Sequence, residues 1–90
     1  MTLSDLFDKY NELCVGNYHP TEIYVGKDIW EALKNRGQFD GTFSGAIVWA
    51  CGSMPDMAAH FENRERRHDP RYNAYVDFTP KKEQGGFEVL

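Results

Sequence analysis

Six consecutive apolar residues, Ala46-Ile47-Val48-Trp49-Ala50-Cys51, stand between Gly45 and Gly52. A run of that length bounded by turn residues has the dimensions of a strand, so the fold must contain a sheet, and its unbroken apolar character reads as a central strand covered on both faces. Upstream, Glu22-Ile23-Tyr24-Val25 reads as a second short strand. Gly26-Lys27-Asp28 turns it into a helix near 28–36, where Ile29, Trp30 and Leu33 share one face and Gly37 closes the last turn. Phe39 and Phe43 then flank a Gly41-Thr42 turn. Strand, helix and strand within residues 22–51 form a crossover unit, and the crossover rule makes its two strands parallel.

The remaining segments pack around that unit. Leu3, Leu6, Phe7, Tyr10 and Leu13 recur at helical spacing opposite Asp5, Asp8, Lys9 and Glu12, which predicts an amphipathic helix near 3–14. Gly16 is the expected left-handed stop, and His19-Pro20 directs the chain into an extended entry. Ser53-Met54-Pro55-Asp56 resembles a helix start, and Met57 and Phe61 lie four apart, so a third helix is expected near 54–67. Tyr72, Ala74, Val76 and Phe78 alternate with more polar residues between Asp69-Pro70 and Thr79-Pro80 and read as a third strand. Gly85-Gly86-Phe87-Glu88-Val89-Leu90 reads as a short edge strand or a frayed end. The expected fold is α+β: a sheet of three or four strands packed by two or three helices, one globular domain over 1–80 and a tail over 81–90. Its predicted core is Leu6, Phe7, Tyr10, Leu13, Ile23, Val25, Ile29, Trp30, Leu33, Ile47, Trp49, Val76 and Phe78.

At 90 residues the chain has room for one core. Ten Lys and Arg against fourteen Asp and Glu exclude a generally basic nucleic-acid binder, because counterion release needs a dense positive surface. Direct nucleic-acid binding is therefore not expected. No apolar stretch approaches the ~20 residues of a membrane span, and residues 1–13 are acidic and amphipathic rather than signal-like, so a cytoplasmic location away from membranes is expected. Two cysteines, Cys14 and Cys51, make no disulfide framework and read as reduced thiols.

Several residues are chemically able to form a site. Cys14, His19, Cys51, His60 and His68 could ligate a metal, but their spacing lacks the short Cys-x-x-Cys or His-x₃₋₅-His element that sets the bite of a zinc site. Cys51 or Ser53 could pair with His60 or His68 as a nucleophile, yet the Gly-x-Ser-x-Gly elbow is absent. Gly37, Gly41, Gly45 and Gly52 are scattered, with no phosphate-binding fingerprint among them. No catalytic residue and no cofactor are assigned. Arg64, Arg66, Arg67 and Arg71 form the one basic cluster, interleaved with Glu62, Glu65 and Asp69, and Glu62 and Arg66 have the spacing of an intrahelical pair. Tyr and Trp are the residue types that anchor interfaces, which points to Tyr18, Tyr24, Trp30, Tyr72 and Tyr75, together with Arg64 and Arg67, as the binding candidates.

Residues 20–62 also carry a family resemblance. Pro20-Thr21-Glu22-Ile23-Tyr24-Val25-Gly26-Lys27-Asp28-Ile29-Trp30-Glu31-Ala32-Leu33 resembles the part of tailed-bacteriophage major capsid proteins and encapsulins in which a short strand runs into a helix bearing Trp or Tyr. Gly41-Thr42-Phe43-Ser44-Gly45-Ala46-Ile47-Val48-Trp49, followed by Met54-Pro55, is similar to that family's Gly-x-Pro-Val-Val strand and Met-Pro turn, with Ala46 where the pattern has proline. The resemblance implies an isolated apical-domain-like module, a strand after Met54-Pro55 where local preference favours a helix, and action by protein contact in a host cytoplasm or virion. The leading expectation is a non-enzymatic, phage-related protein-interaction module that docks onto a protein partner or onto copies of itself. The alternatives are a small acidic inhibitor of a nucleic-acid-processing host machine, and a zinc- or thiol-dependent protein using Cys14, His19 and Cys51.

Overall fold

A computed structural model describes residues 3–79, which form two helices and one five-stranded mixed sheet. The elements are α1 (Leu3–Val15), β1 (Glu22–Val25), α2 (Lys27–Asn35), β2 (Thr42–Phe43), β3 (Ala46–Ala50), β4 (Ala58–Glu62) and β5 (Ala74–Asp77). Short 3₁₀ turns at Arg64–Arg66 and Pro70–Tyr72 link β4 to β5. The Gly85–Leu90 segment and the tail over 81–90 lie outside the described residues.

The helix α1 ends in a Schellman motif. Tyr18 N–H donates to the Leu13 carbonyl at 2.8 Å and Asn17 N–H to that of Cys14 at 3.0 Å. The left-handed residue is Asn17, at φ 67°, and not Gly16 as its position suggests. Asparagine tolerates that region because its short polar side chain stabilises it locally. Ser44 and Gly45 both have positive φ, 52° and 90°, which makes the β2–β3 connection a two-residue type I′ hairpin turn. Tyr10 Oη donates to the Ser44 carbonyl at 2.9 Å and fastens α1 to that turn.

Strand order in the sheet is β2-β3-β1-β4-β5. The central strand is therefore β1. Strands β1 and β3 run parallel with α2 between them, and their connection also carries the short β2, so the unit is more than a bare crossover. The other pairings are antiparallel. The helix expected near 54–67 is absent: its middle is β4, and its end is a 3₁₀ turn. The free edge of β1 supplies unpaired backbone groups that override the local helical preference of Met57-Ala58-Ala59-His60, since buried backbone must find partners. Asn63 then stops regular structure. Its Oδ1 accepts from Glu65 N–H at 2.9 Å, and its Nδ2 donates to the His19 carbonyl at 2.7 Å.

Strand alternation divides the sheet into two sides. Ile23, Val25, Ala46, Val48, Ala59 and Phe61 face the helices and pack with Leu6, Ile29, Leu33 and Phe43 in one buried cluster. Leu13, Trp30, Val76 and Phe78 pack on its margin, partly buried. Phe61, fully buried, belongs to the core because β4 is a strand. Conversely, Phe7, Ile47 and Trp49 are exposed. The apolar run of β3 is covered on one side only.

Gly26, between β1 and α2, is pressed against the loop before β4. A Cβ there would lie 2.0 Å from the Pro55 carbonyl oxygen and 2.7 Å from backbone atoms of Asp56. Gly37, at φ 84°, has open space around it and needs glycine for backbone conformation alone. Gly26→Ala is expected to cost about 1–3 kcal/mol or more through backbone displacement, and Gly37→Ala about 1–2 kcal/mol through left-handed strain. Urea unfolding of the two variants checks the order.

Candidate functional site

The side of the sheet away from the helices is built from the other strand parity. One cross-strand row runs Trp49, Tyr24, His60, Tyr75, one residue from each of β3, β1, β4 and β5. Trp49 and Tyr75, at its two ends, are 48% and 55% exposed. Tyr24 and His60 between them are half-buried, with ring centroids 6.1 Å apart and planes tilted by 44°. The adjacent row holds Ile47, which is 40% exposed, then Glu22 and Glu62. Four ring-bearing residues thus occupy adjacent strands, whose backbones lie about 4.8 Å apart.

In that adjacent row sits the one buried charged residue among those described, Glu22, at 4% exposure. Tyr24 Oη donates to Glu22 Oε1 at 2.8 Å, Arg64 Nε donates to Oε2 at 2.7 Å, and Arg64 Nη2 also pairs with Oε2. The Tyr24 and Arg64 hydrogen bonds hold the Glu22 carboxyl below its ordinary range, outweighing burial. The same hydrogen bond to Glu22, followed by burial, raises the Tyr24 phenol. Glu22 therefore fixes the Tyr24 ring within the row, and Arg64 is drawn in from the turn after β4. Arg64 N–H donates to Thr21 Oγ1 at 2.9 Å, which anchors that turn. Arg67 reaches Glu62 at 3.8 Å. The acid's partner is thus Arg67 and not Arg66, since β4 is no helix.

Of the candidates named from the sequence, Tyr24, Tyr75, Arg64 and Arg67 come together on or beside this face. Tyr18 and Tyr72 form a separate edge-on pair, with centroids 5.0 Å apart and Arg66 over the Tyr72 ring at 5.7 Å. Trp30 lies in the helix layer, edge-on to Phe39 at 5.2 Å. Trp49 and Ile47, expected in the core because their run reads as doubly covered, are exposed, and His60 enters the row because Ala58–Glu62 is a strand and not a helix. The available signal was β1 itself: Glu22 and Tyr24, both with polar tips, share a parity that marks the open side.

The thiol and metal candidates do not converge. Cys14 lies in α1, His19 contacts Asn17 Oδ1 at 3.2 Å, and Cys51 Sγ lies 3.4 Å from Ser53 Oγ. The Ser53 hydrogen bond lowers the Cys51 thiol from its ordinary value. Among the described residues, no three His, Cys, Asp or Glu side chains gather where a metal ion could be held. Among them, too, no helix is long and apolar enough to cross a membrane. No family model matches the chain, and neither the curated proteins nor the solved structures contain a match to it.

Because the Glu22 carboxyl is lowered in the folded state, its contribution to stability is complete above the unfolded value, about pH 4.5. That contribution is lost as pH falls through the folded value. Glu22→Gln should be less stable than the parent at pH 7 and should lose less on acidification. The slope will shrink but not vanish, since Asp40 and Asp69 are also lowered, chiefly by hydrogen bonds from Thr42 and Arg71 respectively. Urea midpoints between pH 7 and pH 3 measure the difference.

Proposed function

We propose that this chain is a non-enzymatic interaction module that docks through the uncovered face of its sheet onto a protein partner or a second copy of itself. The observation that carries this reading is the row Trp49-Tyr24-His60-Tyr75. Exposed Trp and Tyr side chains bring large apolar areas to an interface with few rotatable bonds, so little entropy is lost on contact. The Glu22 hydrogen bond holds Tyr24 in place beforehand, which lowers the ordering cost further.

Scale sets the kind of contact. Four strands of four to five residues and the two-residue β2, at ~4.8 Å spacing and ~3.3 Å per residue, give a face of about 300 Å², less than half of the ~800 Å² per partner in a standard interface. The face alone suits a transient contact, and a stable one must recruit the turn carrying Arg64 and Arg67. The resemblance of residues 20–62 to capsid proteins and encapsulins supports a phage-related role, and the strand at Ala58–Glu62 occupies the place where that resemblance implies one. A phage-encoded module of this kind would act in the host cytoplasm or in a virion.

Replacing Trp49 and Tyr75 together by serine tests the reading. Both side chains are about half exposed, so fold and melting temperature should change little, while association should weaken at least tenfold. Light scattering over a concentration series reports self-association. Capture of a protein partner is read as a salt series with the parent and the double variant side by side. Loss in the variant with little salt dependence supports docking through the rings. A steep fall with salt in both proteins, without dependence on Trp49 and Tyr75, would favour the acidic inhibitor instead.

A further inference from the structure

On the opposite side of the molecule, the first turn of α1 meets the last turn of α2 over a groove of about 480 Å³. That volume falls within the roughly 300–1,000 Å³ of small-molecule sites. Leu3, Phe7, Leu33, Phe39 and Phe43 give it an apolar stripe, Ser4, Gln38, Thr42 and Ser44 give it a polar margin, and among the described residues the single charged one lining it is Arg36. The Arg36 guanidinium makes no hydrogen bond or ion pair among the described residues, whereas Arg64, Arg67 and Arg71 are each held by a carboxylate. Asp40, close in sequence, directs its carboxylate to Thr42 N and Oγ1 at 3.0 and 2.7 Å. The start of α1 and the end of α2 present partial charges of opposite sign there, and Arg36 carries the formal charge. A protein of net charge −4 thus has a groove of mixed lining, with an apolar stripe of five side chains, whose one charge among the described residues is positive and unpaired.

We propose that this groove binds a small amphipathic carboxylate, such as a medium-chain fatty acid. Its apolar chain would lie on Phe7, Phe39 and Phe43 and its carboxylate on the Arg36 guanidinium. Apolar burial supplies affinity, and the charge-assisted pair selects the head group, since guanidinium and carboxylate match in both charge and fork geometry. The site is separate from the aromatic face and does not depend on its role.

The fold contains a reporter, because the Trp30 ring touches Phe39. In a Trp49→Phe background, Trp30 is the sole tryptophan. Decanoate and decyltrimethylammonium below their micellar concentrations, and decanol below its solubility limit, would be titrated by fluorescence and by calorimetry. Saturable binding of decanoate about tenfold tighter than decanol, with the cation weaker still, is the expected result. Arg36→Gln should abolish the preference for decanoate over decanol, Arg36→Lys should keep part of it, and Phe7→Ser, at an exposed position, should weaken all three ligands. Equal affinity for decanoate and decanol, a preference that survives Arg36→Gln, binding indifferent to Phe7→Ser, or no saturable signal by either method would overturn the proposal.

Discussion

Hydrogen bonding along both edges of the four-residue strand β1 is the constraint on which the rest of the molecule depends. On one side Ile47 N–H donates to Thr21 and Cys51 N–H to Val25, at 3.0 and 2.9 Å. On the other, Thr21 N–H donates to Glu62 and Gly26 N–H to Ala58, each at 2.9 Å. Ile23 and Val25 are completely buried by the helices. A strand so short cannot stand alone, and its backbone groups are satisfied only when β3 and β4 are both in place. The tight approach of Gly26 to Pro55 and Asp56 follows from the same pairing, because the loop into β4 must pass against the start of α2.

With the helices confined to one side, the sheet is amphipathic in an unusual sense: its far side carries rings rather than a simple polar coat. Antiparallel sheets commonly leave one face to solvent, and the expected occupants are short polar side chains. Here Glu22 is nearly buried on that side, compensated by Tyr24 and Arg64. A buried carboxylate with two hydrogen bonds and an ion pair contributes less to stability than to geometry, since its desolvation offsets much of the attraction. Its effect is to hold one ring of the row and the turn at the end of β4 in fixed relation.

Much of the architecture was legible because it is written in local patterns. The spacing of Leu3, Leu6, Tyr10 and Leu13 reports α1; Ile29 and Leu33 report α2; Ile23 and Val25 report β1 and its inner side. The aromatic candidates Tyr24 and Tyr75 were likewise visible by residue type. What could not be read was which strand is central, which side of β3 is open, and that Ala58–Glu62 extends. Each of those depends on partners distant in sequence. Ala59 and Phe61 become core only when they lie against Ile23 and Val25, and Trp49 becomes surface only when β3 takes its parity from β1.

The sequence by itself determined an α+β chain with two amphipathic helices, a strand-length apolar run, an acidic balance and a supply of Tyr and Trp. Periodicity, turn chemistry and charge are properties of neighbouring residues, so they survive without a fold. Tertiary structure alone decided that Trp49, Tyr24, His60 and Tyr75 stand in one row, that Arg64 closes on Glu22, and that Arg36 stands unpaired among the described residues beside the groove between the helices. Those facts require strand register and helix placement, which arise from backbone hydrogen bonds and packing between segments more than 40 residues apart.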